Sequence, residues 1–285
     1  MSATRRQVLA RTGALGAGIA FTGALSELFA GTAAAQSLGH TGYGPLVTDP
    51  DGLLDLPKGF HYRVLSREGD ELRSGEGRVP SNHDGMSAFP GRGPGRHGHT
   101  HLVRNHENRA DGRVPVPTVE GLTYDPEGKG GCTALELDSR NRVLSERVAV
   151  AGTAVNCAGG PTPWHTWLTC EETEDRAGTN GYTKDHGFIF EVDPVDPHRT
   201  GAVPLTAMGR FQHEAIAVDP RRGVVYETED AFERPFGLFY RFLPEKPLGG
   251  RGSLRAGGRL QAMRVPGVPD LSSIQETGAT FDRIE

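Results

Sequence analysis

One thiol and two adjacent carboxylates flank a rigid turn near the middle of the chain. The run NCAGGPTPWHTWLTCEE, residues 156–172, places Cys157 before a Gly- and Pro-rich turn and places Glu171 and Glu172 after a short apolar stretch. Carboxylates suit hard cations such as Ca²⁺, Mg²⁺ or Fe³⁺, whereas an added thiolate indicates a transition metal. We therefore predict that Cys157 and Glu172 bind one metal ion. A Cys157–Cys170 disulfide is the alternative, because the chain has three cysteines.

Further acids and amides lie beside other apolar runs. They come from residues 81–85, 102–107, 209–215 and 226–230, and they are Asn82, His83, Asp84, Asn105, His106, Glu107, His213, Glu214, Glu229 and Asp230. Each one alone is typical of a solvated turn. Brought together by the fold, they could supply several oxygen ligands to one site. The chain has no Gly-x-Ser-x-Gly elbow, no P-loop and no dinucleotide-binding glycine motif, which argues against the corresponding enzyme classes.

Short alternating runs predict the elements that must position these groups. Such runs occupy residues 133–138, 187–193, 215–219, 224–226 and 238–242. Several end at an aspartate, which is a turn signal. Asp138 and Asp193 are 55 positions apart, and Asp193 and Asp219 are 26 apart. A propeller blade takes roughly 40–50 residues, so the recurrence predicts an all-β chain built as a β-propeller, with a β-sandwich as the competing architecture.

The N-terminus reads as an export signal. Arg5 and Arg6 precede a weakly apolar stretch at residues 13–25, and three alanines then offer a cleavage site. This pattern predicts a twin-arginine (Tat) signal peptide over residues 1–35, followed by one domain over residues 36–285. An ordinary secretory signal or a disordered tail is the alternative. The apolar stretch is too short for a stable membrane span, so we expect a secreted or cell-envelope, periplasmic protein that uses the Tat export machinery.

The charge of the chain argues against a nucleic-acid partner. The whole chain carries a net charge of −5, and the predicted signal contributes +2 from three arginines and one glutamate, which leaves −7 for the rest. Binding to nucleic acid needs a basic face. An acidic surface is compatible with cation binding, although simple solvation explains it equally well.

These segments, in this order, resemble the PhoX-type alkaline phosphatases, which are exported β-propeller enzymes. The resemblance covers most of the chain after the signal. It lies in the twin arginines and in residues 82–85, 104–107, 156–164, 169–172, 209–214 and 279–285. The run at residues 156–172 is its most specific part.

The resemblance implies a metal-dependent hydrolase of phosphate monoesters with two Fe³⁺ ions and several Ca²⁺ ions. It implies a thiolate ligand of iron at Cys157 and an arginine that binds the phosphoryl oxygens at Arg283. The other implied metal ligands are Glu172, Glu214, Glu285, Asn105, Glu107 and Asp84. Small-molecule phosphate esters are the implied substrates, and we expect a monomer.

Family members continue through further blades, so the resemblance also implies an incomplete propeller that lacks C-terminal blades. Two other functions stay open. One is a non-catalytic, calcium-binding propeller fragment. The other is a calcium-dependent propeller of the lactonase or phosphotriesterase kind, which would not need the thiol at Cys157.

Overall fold

The computed structural model describes residues 42–91, 95, 97–231, 236–274, 276 and 278–285. The predicted signal peptide and its boundary at residue 35 lie outside these residues. The chain divides into two compact units, Met1–Arg63 and Val64–Glu285. No helix in the described ranges has the length and apolar character needed to cross a membrane.

The described part of the first unit is a small hairpin. Strand β1 (Leu46–Val47) pairs antiparallel with strand β2 (Leu56–Pro57). The carboxylate of Asp49 closes the turn between them, because it accepts hydrogen bonds from the Tyr62 hydroxyl at 2.7 Å and from the Leu54 N–H at 3.1 Å. These hydrogen bonds lower the pKa of Asp49 to about 2.

The second unit contains three antiparallel sheets that follow one another along the chain. The first sheet has strands β3 (His83–Pro90), β4 (Thr100–His106), β5 (Gly130–Leu137) and β6 (Val143–Thr153). The second sheet has β7 (Asn156–Pro161), β8 (Trp167–Glu171) and β9 (Ile189–Val192). The third sheet has β10 (His213–Val218), β11 (Val225–Glu229), β12 (Phe239–Pro244) and β13 (Gly258–Ala262).

Short 3-10 turns are the remaining regular elements of the described chain. They span Pro197–Arg199, Thr206–Met208, Ser253–Ala256 and Leu271–Ser273, and no α-helix occurs in the described ranges. The predicted all-β fold class is therefore confirmed. Every sheet orders its strands as they occur in the sequence, so each is a simple meander.

The second sheet packs between the other two, and this explains why all five residues of β8 are buried. Side chains alternate between the two faces of a strand. Trp167 accordingly joins a core cluster with the first sheet, whereas Leu168 and Cys170 join a cluster with the third sheet. On β9, Phe190 and Ile189 divide between the same two clusters. Burial of each large apolar side chain stabilises the stack by about 1.5–3 kcal/mol.

Aspartates end three of the strands, as the sequence predicts. Each carboxylate accepts hydrogen bonds from two backbone N–H groups that follow it in the turn: Asp138 from Arg140 and Arg142, Asp193 from Val195 and Asp196, and Asp219 from Arg221 and Arg222. The turns differ in their place within the sheets, because Asp138 joins the third and fourth strands and Asp219 joins the first and second. The spacing between these aspartates therefore does not measure a repeated blade.

The first strand of each sheet lies beside the first strand of the next. Strand β7 packs against both β3 and β10. A Cβ at Gly85 on β3 would lie 2.8 Å from the backbone oxygen of Cys157, and a Cβ at Gly160 on β7 would overlap the backbone oxygen of Ile216. Glycine is needed at both positions because the backbones approach so closely. This contact brings the motifs of three sheets to one place.

Candidate metal centre

Strand β7 places Cys157 inside the second unit, facing strand β10. The side chain is buried, and its Sγ lies 3.3 Å from the backbone oxygen of His213 and 3.5 Å from that of Glu214. All three cysteines, Cys132, Cys157 and Cys170, are free thiols. The Cys157–Cys170 disulfide considered as an alternative is therefore absent from the structure.

Three donors, two from strands and one from the residue that follows a third strand, meet at this point. The Sγ atom of Cys157 and a carboxylate oxygen from each of Glu172 and Glu214 all lie within 4.8 Å of one another. Cys157 belongs to β7, Glu172 follows β8 directly, and Glu214 belongs to β10. The structure thus brings together three of the residues predicted as metal ligands, and we call them the thiol–carboxylate cluster.

The backbone around Glu172 fixes its position in the cluster. Its N–H donates to the carbonyl oxygen of Val155 at 2.9 Å, just before β7 begins. Glu172 also forms an isolated antiparallel bridge with Gln212, just before β10 begins. Glu172 is therefore connected through the backbone to the strands that carry the other two donors.

Negative groups surround the cluster and raise its pKa values. Burial, a hydrogen bond with Asp230 and the charges of Glu214 and Glu107 together raise the pKa of Glu172 to about 7. Burial and the same neighbouring carboxylates raise the pKa of the Cys157 thiol well above its usual range. A bound cation would offset these charges and favour the deprotonated donors.

The chemistry of the donor set fits a transition-metal cation. A thiolate is a soft ligand and carboxylates are hard ligands, so the combination suits iron better than calcium. The distances within the cluster allow all three donors to contact one ion. Glu107 lies close enough to affect the pKa values of both Cys157 and Glu172, so it stands at the edge of the same site.

Asn105, a predicted ligand, is fully engaged in hydrogen bonds. Its side-chain nitrogen donates to the backbone oxygens of Cys157 at 3.2 Å and Ala158 at 2.8 Å. Its side-chain oxygen accepts hydrogen bonds from the thiol of Cys132, the indole of Trp167 and the hydroxyl of Thr169. Asn105 therefore holds β7 in place from behind the cluster. This geometry offers a ligating ion no open position on the amide oxygen.

The remaining predicted residues lie outside the thiol–carboxylate cluster. Asp84 is an exposed residue of β3. The guanidinium of Arg283 pairs with the Glu285 carboxylate at 2.6 Å, and that carboxylate also pairs with Arg264. Arg264 and Glu285 further exchange backbone hydrogen bonds at 2.8 Å. The structure therefore joins Arg283 to Glu285 without including either in the group of donors around Cys157.

A buried ionic network lies directly behind Glu172. The carboxylate of Glu171 accepts hydrogen bonds from the N–H groups of Ala154, Gly187 and Phe188, at 2.8–2.9 Å. His186 Nδ1 lies 2.7 Å from the Glu171 carboxylate, and His186 Nε2 lies 3.4 Å from the carboxylate of Asp125. Burial opposes the charged imidazolium, but the two carboxylates outweigh it and raise the pKa of His186.

Sequence reasoning missed His186, Asp125 and Glu227. The first two lie in loops, where no periodicity marks a buried residue. Glu227 is completely buried on β11, and its carboxylate lies 3.5 Å from Nδ1 of His213. Burial raises the pKa of Glu227 to about 9 and lowers that of His213 to about 3, because it disfavours the charged form of each group. Period-two alternation with Glu229 was the one signal that could have placed Glu227 on a definite face of β11.

Comparison with known proteins returns one family. The family model described as "Alkaline phosphatase PhoX" matches residues 41–149 and 142–280, which is most of the chain. No curated protein matches the chain, and no solved structure matches it.

Proposed function

The chain belongs to the PhoX alkaline phosphatase family, and from this premise we propose that it is an exported, metal-dependent hydrolase of phosphate monoesters. Membership of the family implies a phosphatase, and such a family fits small-molecule phosphate esters as substrates. The observation that carries the finer proposal is the thiol–carboxylate cluster. Two of its donors lie on strands β7 and β10, the third directly follows β8, and all three meet within 4.8 Å. Neighbouring carboxylates raise the pKa values of Glu172 and Cys157, and a bound cation would offset this effect.

The proposed metals are two Fe³⁺ ions and several Ca²⁺ ions. Cys157, Glu172 and Glu214 would hold iron, and Glu107 would contribute a carboxylate at the edge of the site. Metal ions bound here would polarise the phosphoryl oxygens and offset the charge of a dianionic substrate. Asp84 and Glu285 stay proposed ligands from the family resemblance alone, whereas the fully hydrogen-bonded amide of Asn105 is proposed to position β7 instead of binding a metal.

The chain's own residues would bind and orient the ester. Arg283 is the proposed group that grips the phosphoryl oxygens, because a guanidinium can donate two parallel hydrogen bonds. Its side chain is 75% exposed and pairs with Glu285, so a phosphate would compete with that carboxylate for it. Asn105 and the glycines at positions 85 and 160 keep β7 rigid, so that the Cys157 thiol holds one orientation.

We further propose that the three sheets are blades of a β-propeller. Each is an antiparallel meander, the second packs on both neighbours, and the first strands of all three converge at the cluster. This arrangement is typical of propellers, whose inner strands line a central site. Export by the Tat route and a monomeric state complete the proposal and rest on the sequence alone.

The first test is metal analysis of the purified protein, with turnover of p-nitrophenyl phosphate measured on the same sample at alkaline pH. Iron and calcium together with turnover would support the proposal. Calcium without iron, and no turnover, would exclude a phosphatase and favour the calcium-binding scaffold.

Replacement of the thiol gives the sharpest single prediction. We expect Cys157→Ser to lose iron and to lower kcat by at least about 100-fold, because a neutral hydroxyl replaces a thiolate ligand. Cys132→Ser is the matched control, since Cys132 is also a buried free thiol and a serine there can still donate to Asn105. A Cys157→Ser variant that keeps full activity with calcium alone would favour the lactonase-like alternative.

A further inference from the structure

A separate cavity opens beside the thiol–carboxylate cluster. It has a volume of about 330 Å³, which is room for roughly ten water molecules. Its lining residues are Arg109, Ala110, Asp111, Val155, Asp175, Asn180 and Tyr182. None of them belongs to the ligands predicted from the sequence.

Two residues of the cavity wall connect it to the cluster. Arg109 donates to the Glu107 carboxylate at 3.3 Å, and Glu107 stands at the edge of the cluster. The second residue is Val155, whose carbonyl oxygen accepts the hydrogen bond from the N–H of Glu172. The cavity wall is therefore one hydrogen bond from the backbone of Glu172, a member of the cluster, and one ion pair from Glu107.

One tyrosine of the cavity wall has a hydroxyl without a protein partner. Tyr182 is 3% exposed, its ring packs on His186, and its hydroxyl has no hydrogen-bond partner within the described ranges. Burial and the charge of Asp175, opposed by the charge of Arg109, together raise the pKa of Tyr182 to about 12. The hydroxyl is therefore within electrostatic reach of two other residues of the cavity wall. A hydroxyl that lines a cavity and has no protein partner can hydrogen-bond to a ligand that enters it.

The charges of the wall favour a cation. Two carboxylates, those of Asp111 and Asp175, line the cavity against one guanidinium, and that guanidinium already donates to Glu107. The Asn180 side chain donates to Asp175 at 3.0 Å, which orients the carboxylate. An ammonium group has three donors and no acceptor, so it matches two carboxylates and a phenolic oxygen.

We propose that this cavity binds the alcohol half of the phosphate ester and that it favours a small amino alcohol carrying an ammonium group. The inference rests on the proposed phosphatase function, because the cavity is placed to receive a leaving group next to the metal centre. Asp175 and Asp111 would bind the ammonium group, and the Tyr182 hydroxyl would accept a hydrogen bond from it. The two carboxylates are specificity residues in this assignment and take no part in bond breaking.

Two substrates of similar size separate this preference from general activity. The metal-loaded protein is assayed with O-phosphoethanolamine, which carries an ammonium group, and with glycerol 2-phosphate, which does not. We expect a higher kcat/KM for O-phosphoethanolamine, and we expect Asp175→Asn to lower the ratio of the two kcat/KM values by about tenfold through loss of a charge-assisted hydrogen bond. Asp185→Asn makes the same charge change on a nearby residue that does not line the cavity, and it should leave the ratio unchanged.

The inference is overturned if the wild-type protein shows no preference, or if Asp175→Asn and Asp185→Asn have equal effects. Failure of the proposed function looks different, because neither ester would then be hydrolysed. In that case, saturation-transfer NMR with ethanolamine alone decides the matter. Binding to the wild-type protein that Asp175→Asn and Tyr182→Phe both weaken supports the cavity assignment, and equal signals from all three proteins refute it.

Discussion

At the scale of single residues, Asn105 shows how one amide can hold a site without contacting its ligand. Its two N–H donors bind consecutive backbone oxygens of β7, and its oxygen accepts three donors. Every hydrogen-bonding position of the side chain is therefore used within the protein. The position of Cys157 depends on this amide, because one of those two backbone oxygens belongs to Cys157 itself.

The substitution Asn105→Asp separates positioning from ligation. A carboxylate cannot donate to the two β7 carbonyls, and it would be a buried charge, so we expect the free energy of unfolding to fall by about 3 kcal/mol. We also expect weaker metal retention. Urea denaturation and calcium titration measure the two effects, with Asn141→Asp on an exposed turn as the control. Equal stability with tighter calcium binding would instead identify Asn105 as a calcium ligand, because a carboxylate is the stronger ligand.

At the scale of elements, the buried network joins three segments distant in sequence. Glu171 ends β8, His186 lies in the loop before β9, and Asp125 lies in the loop between β4 and β5. Since Glu172 follows Glu171 directly, the network also fixes the end of the strand from which the metal donor projects.

We expect His186→Gln to lower the free energy of unfolding of the metal-free protein by about 3 kcal/mol near pH 6, because it leaves two buried carboxylates without their cation. The pKa of His186 is raised in the folded state above its ordinary value of 6.5. Its charged form therefore contributes fully below pH 6.5, and this stabilisation is lost as the pH rises through the folded-state pKa.

Urea denaturation of the wild-type protein and the variant across this pH range measures the difference. The difference in free energy of unfolding between the wild-type protein and His186→Gln should become smaller as the pH rises. His198→Gln, on an exposed 3-10 turn, should show no such trend. A difference in free energy of unfolding that stays constant or grows with rising pH would mean that His186 is neutral in the folded state.

At the scale of the whole molecule, the sequence predicts the parts that depend on local pattern. Alternation and aspartate turns indicate the strands, and the all-β class follows from them because side chains alternate in strands. The ends of β5, β9 and β10 at Asp138, Asp193 and Asp219 are confirmed. The burial of β8 on both faces could not be read from one strand, because it depends on which sheets pack against it.

The residues of the candidate site also fall into two groups: some stand in local motifs that the sequence shows, and others come together only through tertiary packing. Cys157, Glu172 and Glu214 stand in short motifs, so a resemblance to known motifs can identify them. The contacts of His186 with Asp125 and Glu171 span 61 and 15 positions and leave no periodic trace in the sequence. The cavity around Tyr182 likewise exists only because separate loops meet.

The acidic surroundings of the centre predict how the whole molecule responds to loss of metal and to salt. A free metal concentration about a thousand times the Kd would stabilise the folded protein by about 4 kcal/mol. A chelator should remove that contribution. Repulsion among Glu107, Glu172, Glu214 and Asp230 would then remain in the folded state.

Salt shortens the screening length from about 10 Å at 0.1 M to about 3 Å at 1 M. We therefore expect sodium chloride to raise the Tm of the chelated protein more than that of the loaded protein, as measured by scanning calorimetry. Asp230→Asn removes one of these charges and should reduce the difference. The same salt response in chelated and loaded protein would show that the carboxylates do not repel one another and that no cation is needed to hold them together.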